Sequence, residues 1–149
     1  MNGKEQVLPI FYEIYPESNF LLYILAGLCT ADEYFNSYHS IYQKDERRHH
    51  GMKILMDAFN GDLDFEVKNL YQAIALIQEN FQKGHPRDQV AFLTKNSGMI
   101  NIKNTLFALG GSLPMELEIF HNLRDAMIWL GIPEMEEAVL TFRGQNIKN

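Results

Sequence analysis

The stretch HHGMKILMDAFNGDLDFEVKNLYQAIALIQENF, residues 49–81, constrains the fold of this chain more than any other. It begins with a short apolar run, Met52-Lys53-Ile54-Leu55-Met56, of the length of a buried strand. The run stops at Asp57 and passes through Asn60-Gly61-Asp62 before the period changes. Val67, Leu70, Ala73, Ile74, Ile77 and Phe81 then recur every three or four residues, the spacing that lines one face of an α-helix. Asp64 is the candidate N-cap of that helix, and Gly84-His85-Pro86 lies past its end, where Gly and Pro belong. Strand, acidic turn and amphipathic helix make half of a β-α-β unit. Val90-Ala91-Phe92-Leu93 reads as the strand that completes it.

Upstream, Ile10, Tyr12 and Ile14 alternate with Phe11, Glu13 and Tyr15, the period of a strand. Pro16-Glu17-Ser18-Asn19 is turn chemistry, and an apolar run from Phe20 to Leu25 follows it. Four intervening residues suit a hairpin and are too few for a parallel crossover. Thr30 with Glu33 forms a capping box, opening a helix with Phe35, Tyr38, Ile41 and Tyr42 on one face. That helix should end near Gln43. Downstream, Met99, Ile102, Leu106 and Leu109 keep helical spacing up to Gly110-Gly111. The run MELEIF alternates strictly and reads as a half-exposed edge strand. Asn122 caps a further helix that Gly131 and Pro133 stop, and Met135, Val139 and Phe142 mark one more. The polar tail, residues 143–149, is expected to fray.

The order β-β-α-β-α-β-α-β-α predicts an α/β fold: a mixed, mostly parallel sheet of about five strands, opening with an antiparallel hairpin. A length of 149 residues with 46% hydrophobic side chains fits a single domain with one core. The net charge of −6 argues against nucleic acid as a partner, since phosphate binding needs a basic surface. The cluster of Lys44, Arg47 and Arg48 is broken by Asp45 and Glu46 and reads as a solvated loop. One cysteine, Cys29, permits no internal disulfide and sits in an apolar run, as a small core residue does. No apolar run approaches the roughly 20 residues of a membrane helix, and the N-terminus does not resemble a signal peptide. A cytoplasmic protein without a membrane span is the expectation.

At the level of LAGLCTADEY, ILMDAFNGDLD, VAFLT and IFHNLRDAMIWLGI, the chain resembles the SpoIIAA-like family of α/β domains, which includes STAS and bacterial SEC14-like proteins. The resemblance spans residues 7–132. In STAS anti-sigma-factor antagonists, a phosphorylatable Ser opens the helix after the central strand. Here the corresponding turn, DAFNGDLDFEV, contains no Ser or Thr. The resemblance therefore implies a non-enzymatic regulatory or protein-interaction module without that phospho-switch. SEC14-type lipid carriers enclose their cargo with a longer chain.

Among polar candidates, Asp57 stands out because it ends a buried strand, and ligands of open α/β sheets sit beyond the strands' carboxyl ends. Asp57, Asn60, Asp62 and Thr94 are the residues that would line such a crevice. A phosphoacceptor or Mg²⁺ ligand at Asp57 would resemble a response-regulator receiver, but the acidic pair and the Lys of receivers have no counterpart here. Loop hydrogen bonds and the helix dipole account for Asp57 and Asp62 more simply. His49 and His50, with His39 upstream, lack metal-ligand spacing and read as surface residues. No nucleophile elbow, Walker loop or dinucleotide fingerprint is present, and no metal or cofactor is implied.

Tyr12, Tyr15 and Tyr23 lie on the opening hairpin and would form a sticky surface if one face is uncovered. Two function classes follow. The first is a regulatory module with a protein partner or a homodimer through the hairpin. The second is a binder of a small apolar or anionic ligand. The feature that separates them is the space between the sheet and the helices bearing Phe35, Tyr38, Leu106 and Trp129: a filled core favours the first, an open pocket the second.

Overall fold

A computed structural model describes residues 9–81, 84–96, 99–110 and 113–147, with only the backbone of Met99. Strand β1 (Ile10–Tyr15) folds back on β2 (Phe20–Leu25) through a 3-10 turn at Pro16–Ser18. Asn19 closes the turn at φ 52°, a left-handed conformation that Asn tolerates better than most residues. A short strand β3 (Leu28–Thr30) leads into helix α1 (Ala31–Lys44). Then come β4 (Lys53–Ala58), the short β5 (Asp62–Asp64), α2 (Val67–Asn80), β6 (Asp88–Thr94) and α3 (Met99–Gly110). The chain ends with β7 (Met115–Phe120), α4 (Leu123–Trp129), a 3-10 turn at Pro133–Met135 and α5 (Glu136–Asn146).

The main sheet has the order β1-β2-β4-β6-β7, with β1 antiparallel and the remaining pairs parallel. Its α/β class, opening hairpin and parallel run are those expected from the periodicity. The crossovers through α1, α2 and α3 all advance in one direction across the sheet. A single handedness therefore delivers all three helices to one face. The opposite face is left for α4 and α5, whose Ala126, Met127 and Val139 pack on Leu22, Ile24, Leu55 and Leu93. With both faces covered, β2 is buried along its whole length, which its unbroken apolar sequence anticipates.

Local chemistry sets several boundaries. The Thr30 hydroxyl accepts from the Glu33 N–H at 3.2 Å, and the Glu33 carboxylate accepts from the Thr30 N–H at 2.9 Å. Asn122 caps α4 by accepting from the Asp125 N–H at 3.1 Å. Two expectations need correction. The N-cap of α2 is Glu66, whose N–H donates to Asn69 Oδ1 at 2.7 Å, while Asp64 belongs to β5. The expected fraying from residue 143 onward does not begin there, because α5 continues to Asn146 and Arg143 is tied to Asp57.

The pair β3–β5 forms a separate two-stranded parallel sheet beyond the carboxyl ends of β2 and β4. Three residues each are too few to leave a periodic trace in sequence. Gly61 makes this pair possible, because a Cβ there would stand 2.4 Å from the Leu25 carbonyl oxygen and 2.7 Å from that of Gly27. Gly61→Ala should destabilise the protein by about 2 kcal/mol in urea unfolding, since neither carbonyl can move without breaking the strand ends. Gly144→Ala, in open space on α5, should instead stabilise it by about 0.5 kcal/mol through helix propensity.

Candidate functional site

The face of the sheet beneath α1–α3 presents two rows of side chains set by strand register. One row runs Tyr23, Met56, Phe92 and Ile119, and the next runs Leu21, Ile54, Val90 and Leu117. Over them, a spacing of four residues aligns Tyr34, Tyr38 and Tyr42 on one side of α1. Their rings follow each other at centroid distances of 6.4 and 4.6 Å. Helix α2 adds Leu70, Ala73 and Ile77, and α3 adds Ile102 and Leu106. Between floor and roof lies a cavity of about 140 Å³ with a mainly apolar lining. Of the residues expected around such a space, Tyr38 and Leu106 line it. Phe35 packs beside it on Phe65, whereas Trp129 lies on the opposite face against Phe120.

One end of the cavity is polar. Arg48, expected on a solvated loop, is instead buried, with its side chain 2% exposed. Its Nη2 donates to Asp88 Oδ2 at 2.7 Å and to the Tyr42 hydroxyl, and its Nη1 donates to the His49 carbonyl. The guanidinium carbon stands 4.1 Å from the Tyr42 ring centroid. Asp88 Oδ1 accepts from the N–H groups of Gly51 and Met52 at 2.8 and 3.0 Å. This carboxylate thus holds the loop between α1 and β4 onto the first residue of β6. Burial opposes the charge on Arg48, but Asp88 and Tyr42 outweigh it and hold the guanidinium above its ordinary value. Nε of Arg48 is buried and has no hydrogen-bond partner.

His50 also turns inward rather than outward. Its ring stacks on His85 at 4.5 Å, and its Nε2 meets the Asn80 carbonyl, which makes Nε2 the protonated nitrogen. His49 is exposed. Burial pushes the phenols of Tyr23, Tyr34 and Tyr42 upward, so they remain neutral donors. Among the described residues, no group of three or more His, Cys, Asp or Glu is placed to hold a metal ion.

The crevice candidates are divided between places. Asp57 faces the α4–α5 side of the sheet, in the row with Ile24, Leu93 and Phe120. It is 1% exposed and accepts from Arg143 Nε at 2.9 Å, while Nη2 stands 2.9 Å from the same oxygen as an ion-pair contact, buried and without a hydrogen bond of its own. Burial pushes its carboxyl upward against the pull of Arg143. Asp62 and Thr94 do meet, through Asn96: its side-chain amide donates to Asp62 Oδ2 at 3.2 Å and its N–H to Thr94 Oγ1 at 2.9 Å. Asn60 is exposed on the turn.

The three hairpin tyrosines do not share a surface. Tyr12 is exposed and donates to Asp45 Oδ2 at 3.0 Å, while Tyr15 stacks on Phe20 at 5.7 Å toward α4 and α5. Tyr23, the cross-strand neighbour of Tyr12, is buried in the cavity floor. Sequence reasoning missed Arg48, Asp88 and His50. The tyrosine spacing on α1 was a visible signal of an aromatic wall, but no local pattern joins Arg48 to Asp88 across 40 residues.

Asp88→Asn should cost about 3 kcal/mol in urea unfolding, because it leaves the Arg48 charge buried without its partner. Glu13→Gln, facing the exposed Arg47 at 3.5 Å, should change stability by less than about 0.5 kcal/mol. The raised phenols carry a second consequence. In the unfolded chain they ionise near pH 10, so their contribution to stability is complete below that value and is lost as pH rises above it. Tyrosinate absorbance should therefore rise cooperatively with unfolding in alkaline titration. Early, gradual ionisation of all seven tyrosines in the native state would contradict it.

Comparisons with family models, with characterised proteins and with solved structures found no match to this chain.

Proposed function

We propose that the chain is a non-enzymatic binding domain for a small, mainly apolar molecule held between the sheet and α1–α3. The observation behind this reading is the cavity of about 140 Å³, roofed by three tyrosines and floored by two apolar rows. Left without an occupant, a void of that size costs on the order of 3 kcal/mol. An engineered cavity of roughly 150 Å³ takes up benzene, which sets the scale of the ligand body. The unbranched thioether of Met56, in the floor, lets the wall adjust around it.

A regulatory module of the kind implied by the SpoIIAA-like resemblance remains compatible with this reading, with the ligand as its signal and a protein partner reading the loaded state. The absence of Ser and Thr from the turn DAFNGDLDFEV fits a module governed by a ligand rather than by serine phosphorylation. Helix α1 links the cavity to the outer surface, because Tyr38 and Tyr42 line the one while His39 and Gln43 occupy the other.

Native mass spectrometry of the purified protein should reveal added mass that disappears on denaturation. Ethylbenzene, added to denatured and refolded protein, should raise its melting temperature in a saturable way. Ala73→Phe, which fills the cavity from α2, should abolish that rise while leaving the circular dichroism spectrum unchanged. A clean native mass together with no saturable response to ethylbenzene would overturn the binding reading.

A further inference from the structure

The two outer edges of the main sheet are finished differently. At one edge, side chains occupy the backbone of β1: Arg47 Nη1 donates to the Ile14 carbonyl at 3.4 Å, and the Ile14 N–H donates to the Glu13 carboxylate at 2.9 Å. Side chains placed this way blunt an edge against further pairing. At the other edge, the backbone of β7 is paired with β6 only, among the described residues. Every second residue of β7 therefore turns an N–H and a C=O outward without a partner in the fold.

That edge lies in an open recess. Phe107 of α3 flanks it on one face of the sheet and Trp129 of α4 on the other, with residues 115–118 of β7 between them. Lys103 reaches across the edge from α3 to Glu118, whose side chain belongs to the α4–α5 face. Both members of this ion pair are partly exposed, and pairs of that kind hold weakly. Lys103 is thus a latch that a competing cation can open.

The side chains of β7 define what fits beside it. On the α4–α5 face stand Glu118 and the exposed Glu116, which has no ion pair among the described residues. On the α1–α3 face stand Met115 and Leu117, packed with Phe107. A second copy of the chain fits poorly. Any antiparallel register that keeps apolar face with apolar face sets Glu116 and Glu118 opposite the same two residues of the copy, and like charges directly opposite are destabilising.

We infer that β7 is a docking edge for an extended segment of a partner protein in which lysines or arginines alternate with apolar residues. The segment adds one more strand to the sheet through backbone hydrogen bonds. Its basic side chains lie along Glu116 and Glu118 beside Trp129, displacing Lys103, and its apolar side chains meet Leu117 and Phe107. This docking is independent of what occupies the cavity.

The test uses two capped peptides of the length of β7, one alternating lysine and valine and one alternating glutamate and valine. Each is titrated into the full chain by calorimetry, and amide hydrogen exchange locates the contact. The lysine peptide should bind and slow exchange in β7 while leaving β1 unchanged, and the glutamate peptide should not bind. Glu116→Lys, which turns an attraction into a like-charge contact, should weaken binding about tenfold. Lys103→Ala, which removes the latch, should tighten it by up to about fivefold. Both side chains are at least partly exposed, so both variants should keep the circular dichroism of the parent. No binding of the lysine peptide, equal binding of the glutamate peptide, protection at β1 instead of β7, or an affinity that neither substitution changes overturns the proposal. A dimer in sedimentation velocity with β7 amides protected in the absence of peptide assigns the edge to a second copy and overturns it as well.

Discussion

Everything in this molecule depends on the one-directional advance of its parallel strands. Three crossovers of the same hand, taken from β2 to β4 to β6 to β7, place α1, α2 and α3 side by side on one face. That face must then be filled by whatever side chains the helices and the strand rows supply. On the α4–α5 side the supply is compact: Ala91, Ala126, Met127 and Val139 pack with fully buried leucines. On the other side the roof is made of tyrosines at four-residue spacing. Their rings stand the helix off the sheet, and a cavity results.

Two buried ion pairs sit on opposite faces and perform parallel tasks. Arg143 reaches from α5 to Asp57 at the end of β4, anchoring the last helix of the chain to the central strand. Arg48 reaches from the loop after α1 to Asp88 at the start of β6, anchoring that loop over the cavity. A buried pair contributes little beyond what a well-packed apolar pair would, but removing one partner is expensive. Each pair therefore specifies where a segment docks more than it adds to stability. Neither guanidinium is fully satisfied: Asp57 accepts from Arg143 Nε at 2.9 Å and from the Phe59 N–H at 3.2 Å, but Nη2 of Arg143, like Nε of Arg48, is buried without a hydrogen-bond partner.

The elements were legible wherever a periodic pattern ran for a turn or more. Hairpin, capping box, the amphipathic α2 and the alternating edge strand MELEIF all declared themselves by spacing. Three-residue strands such as β3 and β5 did not, because pairing across a short gap depends on where Gly61 brings the chain rather than on any local preference. Asp64 was a reasonable cap by composition. The extra strand consumed it, and Glu66 with Asn69 took over.

What the sequence determined by itself was the α/β class, the opening hairpin and the apolar faces, since these follow from periods of two and of three to four residues along the chain. What only the tertiary structure decided was the fate of each polar side chain. Arg47 and Arg48 are neighbours in one charged loop, yet one is exposed and the other buried against a carboxylate 40 residues away. Tyr12 and Tyr23 face each other across a hairpin, yet one meets solvent and the other a cavity. Burial is a property of the surroundings that distant segments create, and no local spacing encodes which segment will arrive.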